Sequence, residues 1–325
     1  MPEVAVAPRA KAAEPPTSEL LLRRLEMTVI RRLDGLLQGD FRTLFRGAGV
    51  DLADLREYQL HDDVRHIDWN VTARLQQPYV RQFTEDRELA AWFLLDLSGS
   101  VDFGSDRVTK RSVAREFVAV VSRMLTRHGN RVGALMYGTT VDTVIPARGG
   151  RMQVLQILQR IAQRPAETAP GRTRLHDLLM AAQRMVKRRS SLFVVSDFVS
   201  EPGWEDALGR LAMRHDVTAV RLYDPLEMEL PDIGLVTMRD AETGEQLVVD
   251  THDSGFRERF AAIAERTEAQ LREGLAKAGV DTLELATDDA LFDAILRFSD
   301  LRRQRSRLAA GGGVAGHLTA LQAAS

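Results

Sequence analysis

Leu89-Ala90-Ala91-Trp92-Phe93-Leu94-Leu95-Asp96-Leu97-Ser98-Gly99-Ser100 decides the fold. Its first seven residues are continuously apolar, as expected for a strand buried on both faces. The run then stops on a carboxylate, and a turn with two hydroxyls follows. Such a strand belongs inside a sheet covered by helices on both sides.

Outward from it, the pattern alternates. Val113, Phe117, Val120, Val121 and Met124 recur at helical spacing, predicting a helix from about Val108 to His128 that Gly129-Asn130 stop. Strands follow at Val132–Tyr137 and Val141–Ile145. Helices at Met152–Ala162 and Leu175–Val186 lead to the strand Ser191-Leu192-Phe193-Val194-Val195-Ser196-Asp197. A helix over 204–214, strands at Val217–Tyr223 and Thr282–Leu285, and a helix at Asp289–Phe298 complete the series. The alternation predicts an α/β fold, a doubly wound, mostly parallel sheet spanning residues 88–302. Residues 224–280 interrupt it with a hairpin around Thr243-Gly244 and a charged helix, Phe256–Ala278, read as an insertion. Ahead of the domain, 19–87 read as an amphipathic helix, Leu20–Leu37, and a small β-rich element. Residues 1–18 and 303–325 read as flexible tails.

Composition narrows the function. The chain has 325 residues, 44% of them hydrophobic, with 44 basic and 46 acidic side chains, so no global field selects nucleic acid. Zero cysteines exclude disulfides, thiolate metal sites and a cysteine nucleophile, and make the cytoplasm the expected compartment. No apolar run reaches the roughly 20 residues a membrane helix needs. The basic run Arg302–Arg307 and Lys187-Arg188-Arg189 read as solvated helix ends.

The chemistry concentrates at strand ends. Asp96 and Asp197 close two strands, so a parallel sheet delivers both carboxylates to its C-terminal edge, where ligands of open α/β sheets bind. Gly99 permits a tight turn aiming Ser98 and Ser100 back toward Asp96. Thr173 sits just before a helix on the same side. Two carboxylates and three hydroxyls form an all-oxygen set suited to a hard cation, Mg²⁺ or Mn²⁺. Magnesium takes about six oxygens at roughly 2.0–2.1 Å, which leaves a position for an outside ligand such as a partner's carboxylate. Taken singly, each residue has a plainer role: turn serines, a threonine N-cap, carboxylates facing helix N-termini.

Asp96-Leu97-Ser98-Gly99-Ser100, Gly171-Arg172-Thr173-Arg174-Leu175 and Val195-Ser196-Asp197, in that order, resemble the metal-ion-dependent adhesion site of von Willebrand factor A domains. The resemblance implies Ser98, Ser100 and Thr173 as direct ligands, with Asp96 and Asp197 ligating directly or through water. Two positions depart from it: Arg172 and Phe198 stand where glycine is common. Arg172 either biases the open position toward acidic ligands or points away.

A second resemblance lies upstream. Leu52–Tyr58, His61–Trp69, Thr72-Ala73-Arg74 and Pro78–Phe83, with Asp224-Pro225-Leu226-Glu227 downstream, are similar to the bacterial family called domain of unknown function fifty-eight. That resemblance implies partnership with a MoxR-type AAA+ ATPase in chaperone-like assembly or metal insertion. Read residue by residue, Asp62, Asp63 and Asp68 against Arg56, Arg65 and Arg74 suggest an ion-pair network. His61, Asp63 and His66 match no standard zinc spacing.

The expected function is therefore a metal-dependent protein-binding module and not an enzyme. The chain lacks a G-x-x-x-x-G-K-[ST] phosphate loop and a G-x-S-x-G elbow, and Asp96-Leu97-Ser98 lacks the second aspartate of aspartyl-phosphate phosphatases. A metal-dependent hydrolase and a metal-free structural domain are the alternatives.

Overall fold

A computed structural model describes residues 17–36, 54–59, 67, 69–82, 90–104, 108–165, 173–239 and 246–310. Its centre is a six-stranded sheet built from β3 (Ala90–Asp96), β4 (Arg131–Tyr137), β5 (Val141–Arg148), β6 (Ser191–Ser196), β7 (Asp216–Tyr223) and β10 (Asp281–Ala286). The spatial order is β10-β7-β6-β3-β4-β5, and every pairing is parallel except β4 with β5. Chain order runs outward in both directions from β3 and β6. Their junction is the switch point at which crossover connections diverge and leave a crevice.

Helices cover both faces, as the continuous apolar strands require. One layer holds α4 (Lys110–Arg127), α5 (Arg151–Gln163) and α9 (Leu291–Ala310). The other holds α6 (Leu175–Met185), α7 (Trp204–Ala212) and α8 (Ser254–Ala278). Along β3 the side chains alternate between them: Phe93 enters the first core and Leu94 the second. Phe93 stacks on Phe193 at 5.3 Å and meets Phe117 edge-on at 6.5 Å, fixing β3 against β6 and α4. Gly133 on β4 is required by close approach. A Cβ there would lie 2.9 Å from Ala147 N, Ile145 O and the Trp92 ring, beside a register shift in the β4–β5 pairing.

The amphipathic segment near the N-terminus docks on its own chain. It forms α1 (Ser18–Leu25) and α2 (Arg31–Leu36), joined through a π-helical turn at Glu26–Ile30. Leu21, Leu22, Leu25, Ile30 and Leu33 enter the first core, and Arg151 grips Glu19 at 2.8 and 3.0 Å.

Three expectations need correction or completion. First, among the described residues the small N-terminal element holds a helix as well as its strands. Its antiparallel pair, β1 (Asp54–Glu57) with β2 (Tyr79–Gln82), encloses the helix α3 (Trp69–Leu75). The Trp-Val-Thr content of that helix mimics strand propensity, which context overrides. Second, α8 is not part of an insertion: it is the crossover from β7 to β10, with Leu275 and Ala278 in the second core. Among the described residues, only the hairpin β8 (Leu235–Arg239) and β9 (Gln246–Asp250) interrupts the alternation of strands and helices. Third, α9 continues beyond residue 302 to Ala310, and its arginines are not all solvated. Arg302 is buried, 2.8 Å from Asp216 and 2.9 Å from Asp281, while Arg305 lies 2.5 Å from Asp281. Among the described residues, no helix is long and apolar enough to cross a membrane.

Candidate metal centre

β3 and β6 end side by side at the switch point, and the sheet delivers Asp96 and Asp197 there. Both are buried, as are Ser98, Ser100 and Thr173. Asp96 is fixed by neutral donors: Ser98 N–H donates to Oδ1 at 3.0 Å and the Ser196 hydroxyl to Oδ2 at 2.7 Å. The Ser98-Gly99-Ser100 turn brings the two hydroxyl oxygens within 3.3 Å of each other. Burial, and then the negative charge of Asp197, push the Asp96 carboxyl up to about 6, against the hydrogen bonds from Ser196 and Ser98.

Thr173 reaches the same edge through a zipper of hydrogen bonds. Its carbonyl accepts from Glu201 N–H at 2.9 Å and from the Ser200 hydroxyl at 3.0 Å, while Ser200 Oγ accepts from Leu175 N–H at 2.9 Å. On the other side Arg174 N–H donates to the buried Tyr137 hydroxyl at 2.9 Å. The loop after β6 thus clamps the loop before α6. Arg172 lies outside the described residues, as do His61, Asp63 and His66 and the acidic members of the upstream charge network.

Phe198 departs from the glycine of the adhesion-site pattern at a backbone cost. Its φ is +59°, in the left-handed region that non-glycine residues enter at roughly 1–2 kcal/mol. Compensation comes from its buried ring, 5.2 Å from that of Trp204, and from its N–H, which donates to Ser196 Oγ at 2.9 Å.

Lys110 is the residue the sequence did not single out. It opens α4, is 1% exposed, and its ammonium donates to Asp197 Oδ2 at 2.7 Å and Glu227 Oε1 at 2.6 Å. Burial alone would lower its pKa, but Asp197 and Glu227 reverse this and raise it. Glu227 is held in turn: its Oε2 accepts from Asp224 N–H at 2.9 Å, and Asp224, fully buried, accepts from Leu226 N–H at 2.9 Å and the Thr287 hydroxyl at 2.6 Å. The Asp224-Pro225-Leu226-Glu227 turn is therefore wired to the site through Lys110. The signal available beforehand was a lysine at a helix N-terminus, where the macrodipole disfavours cations.

Among the described residues no three His, Cys, Asp or Glu side chains converge as a metal cluster, so a cation here depends on the hydroxyls. The set fits a hard cation: all donors are oxygens, and two buried carboxylates repel each other. Beside it a cleft of about 460 Å³ opens between the sheet edge and α8, walled by Asp197, Phe198, Trp204, Tyr223, Glu227 and Phe260.

Residues 54–270 match the family model described as "Protein of unknown function DUF58". The chain belongs to the DUF58 family. Uncharacterized proteins of Mycobacterium tuberculosis and Mycobacterium bovis are each 38% identical over 296 residues, 91% of this DUF58 chain and 91% of the relative. Among solved structures, BatB from Bacteroides thetaiotaomicron is 18% identical, with a TM-score of 0.42 over 68% of this chain and 99% of its own. The SpRpn10 VWA domain is 13% identical, with a TM-score of 0.39 over 65% and 94%.

Proposed function

We propose that this DUF58 chain is a divalent-cation-dependent protein-binding module. Ser98, Ser100 and Thr173 would hold Mg²⁺ or Mn²⁺, with Asp96 and Asp197 ligating directly or through water. When bound, the cation supplies a Lewis-acidic position that accepts an acidic side chain of the partner. The observation that carries the reading is the convergence of the Ser98 and Ser100 hydroxyls, 3.3 Å apart, beside two mutually repelling buried carboxylates at the sheet's switch point. The partner class is a MoxR-type AAA+ ATPase, with this chain as its adaptor in chaperone-like assembly. That part rests on the family resemblance.

Binding is favoured over turnover. His176, the histidine nearest the site in sequence, has a side chain 44% exposed beside Asp177, a poor setting for a buried general base. Isothermal titration tests the metal: Asp96→Ala should abolish Mg²⁺ binding and leave the fold intact, and equal affinity in that variant refutes the site. Co-elution with a MoxR-type ATPase, with Mg²⁺ or with EDTA, tests the partner. Thr173→Ala should reduce capture, and equal capture removes the site from docking. Phosphatase or ATPase turnover that is lost in Asp96→Ala would overturn the binding reading.

A second reading has one specific observation in its favour. Asp197 already holds a cation, Lys110, so a structural domain that binds no metal is also internally consistent. Metal analysis of the purified protein separates the two.

A further inference from the structure

Lys110 has no place in the proposed metal set, yet it is as deeply buried as the ligands and lies against one of them. Taking an ammonium out of water is expensive unless opposite charges compensate it, and the first position of a helix adds an unfavourable dipole. The chain nevertheless places it there, between Asp197 and Glu227, with the Phe103 ring 6.0 Å from the ammonium. Asp96, Asp197 and Glu227 carry three negative charges and Lys110 one positive. A divalent cation would bring that group to neutrality.

We propose that Lys110 is a resident counter-ion: it competes with the divalent cation for Asp197 and, through Glu227, ties the site to the Asp224–Glu227 turn. This rests on the metal-site reading above. Glu227 cannot follow the ammonium, because its Oε2 is anchored on Asp224 N–H, and Asp224 is anchored on Leu226 and Thr287. A cation drawing on Asp197 therefore leaves Lys110 on Glu227 alone. The residue holds Asp197 in place before the cation arrives and weakens the cation's hold afterwards. It sets the affinity, and Glu227 sets how strongly Lys110 competes.

The two partners predict opposite signs. Lys110→Met keeps the volume and removes the competing charge, so Mn²⁺ should bind roughly tenfold tighter. Glu227→Gln keeps Lys110 but removes its second partner, so Lys110 falls wholly to Asp197 and Mn²⁺ should bind roughly tenfold weaker. General damage to the site would weaken binding in both. The measurement is Mn²⁺ titration of the full chain, followed by electron paramagnetic resonance of free Mn²⁺, with thermal melts to confirm folding. Tighter binding in Lys110→Met with weaker binding in Glu227→Gln supports the proposal. Affinity in folded Lys110→Met equal to or below wild type overturns it. If Lys110→Met does not fold, Glu227→Gln decides, since its side chain is 34% exposed in the native protein; unchanged or tighter binding overturns the proposal. If wild type binds no Mn²⁺, the metal-site reading fails for the native chain. Binding acquired by Lys110→Met would still establish Lys110 as the competitor, and binding in neither overturns both ideas.

Discussion

Replacing Asp96 with asparagine should stabilise the metal-free protein at neutral pH although it removes a candidate ligand. The Asp96 carboxyl is raised to about 6 by burial and by Asp197, from an ordinary value of about 4. Between those two pH values the folded chain binds the proton more tightly than the unfolded chain. Stability contributed by this group therefore falls as pH rises through the window and is lowest above it. At about 1.4 kcal/mol per pH unit, the penalty at pH 7.5 is about 3 kcal/mol. Asparagine preserves the shape and still accepts from Ser98 N–H. Its amide meets the Ser196 hydroxyl less well, a loss of about 1 kcal/mol. Asp96→Asn should thus be about 2 kcal/mol more stable than wild type at pH 7.5 in EDTA, equivalent to about 3 °C in Tm. The advantage should vanish near pH 4. The assay is urea unfolding of both proteins from pH 4 to 8 in EDTA, then with excess Mg²⁺. Because the two proteins differ at this one carboxyl, the pH dependence of the difference reports Asp96 together with its coupling to Asp197. Mg²⁺ should raise the stability of wild type alone, by about 2.7 kcal/mol at a hundred times its Kd. A stability difference that does not change between pH 4.5 and 7.5, or a variant less stable at pH 7.5, would refute the reasoning.

Mn²⁺ affinity of the wild type should be flat from pH 7 to 8 and fall about tenfold per pH unit below about 6, since a proton on Asp96 displaces the cation; titrations at fixed ionic strength check the slope. Arg302→Ala leaves Asp216 and Asp281 without their shared cation, so urea unfolding should show a loss of about 3 kcal/mol, and an unchanged midpoint would return Arg302 to the solvent. Leu22→Ala empties a fully buried position where the N-terminal helix meets the core, and calorimetry should record about 2–4 kcal/mol of destabilisation; no cost would mean that the helix does not dock on its own chain.

What was legible in the sequence was set by local rules. The seven apolar residues before Asp96 read as a doubly buried strand, and the two strand-terminal aspartates share an edge once the sheet is parallel. Ser98 and Ser100 followed from the turn that Gly99 permits. What escaped was set by distant partners. Lys110 looks like an ordinary solvated residue at a helix start because its carboxylates lie 87 and 117 positions away. Arg302 sits in a run of arginines, and only the fold shows that β7 and β10 bring Asp216 and Asp281 to it. The long charged helix α8 resembled an insertion because its buried residues gather toward one end, at Glu268, Gly274, Leu275 and Ala278. Its role as a crossover depends on β10 pairing beside β7, which no local pattern encodes.

The two aspartates meet at one edge but are treated differently, and the difference locates the demand for added charge. Asp197 has a buried ammonium on Oδ2 and Val199 N–H on Oδ1 at 3.1 Å, so its charge is answered from within the chain. Asp96 has only neutral donors, and burial leaves its charge uncompensated. Added positive charge is therefore worth most on the Asp96 side, where the Ser98 and Ser100 hydroxyls converge and Lys110 does not reach. The Phe198 backbone, held at positive φ by its packing on Trp204, and the Ser200 clamp on Thr173 fix the loops that carry the other candidate donors. On the proposed reading, a cation would therefore change the electrostatics of this edge more than its shape.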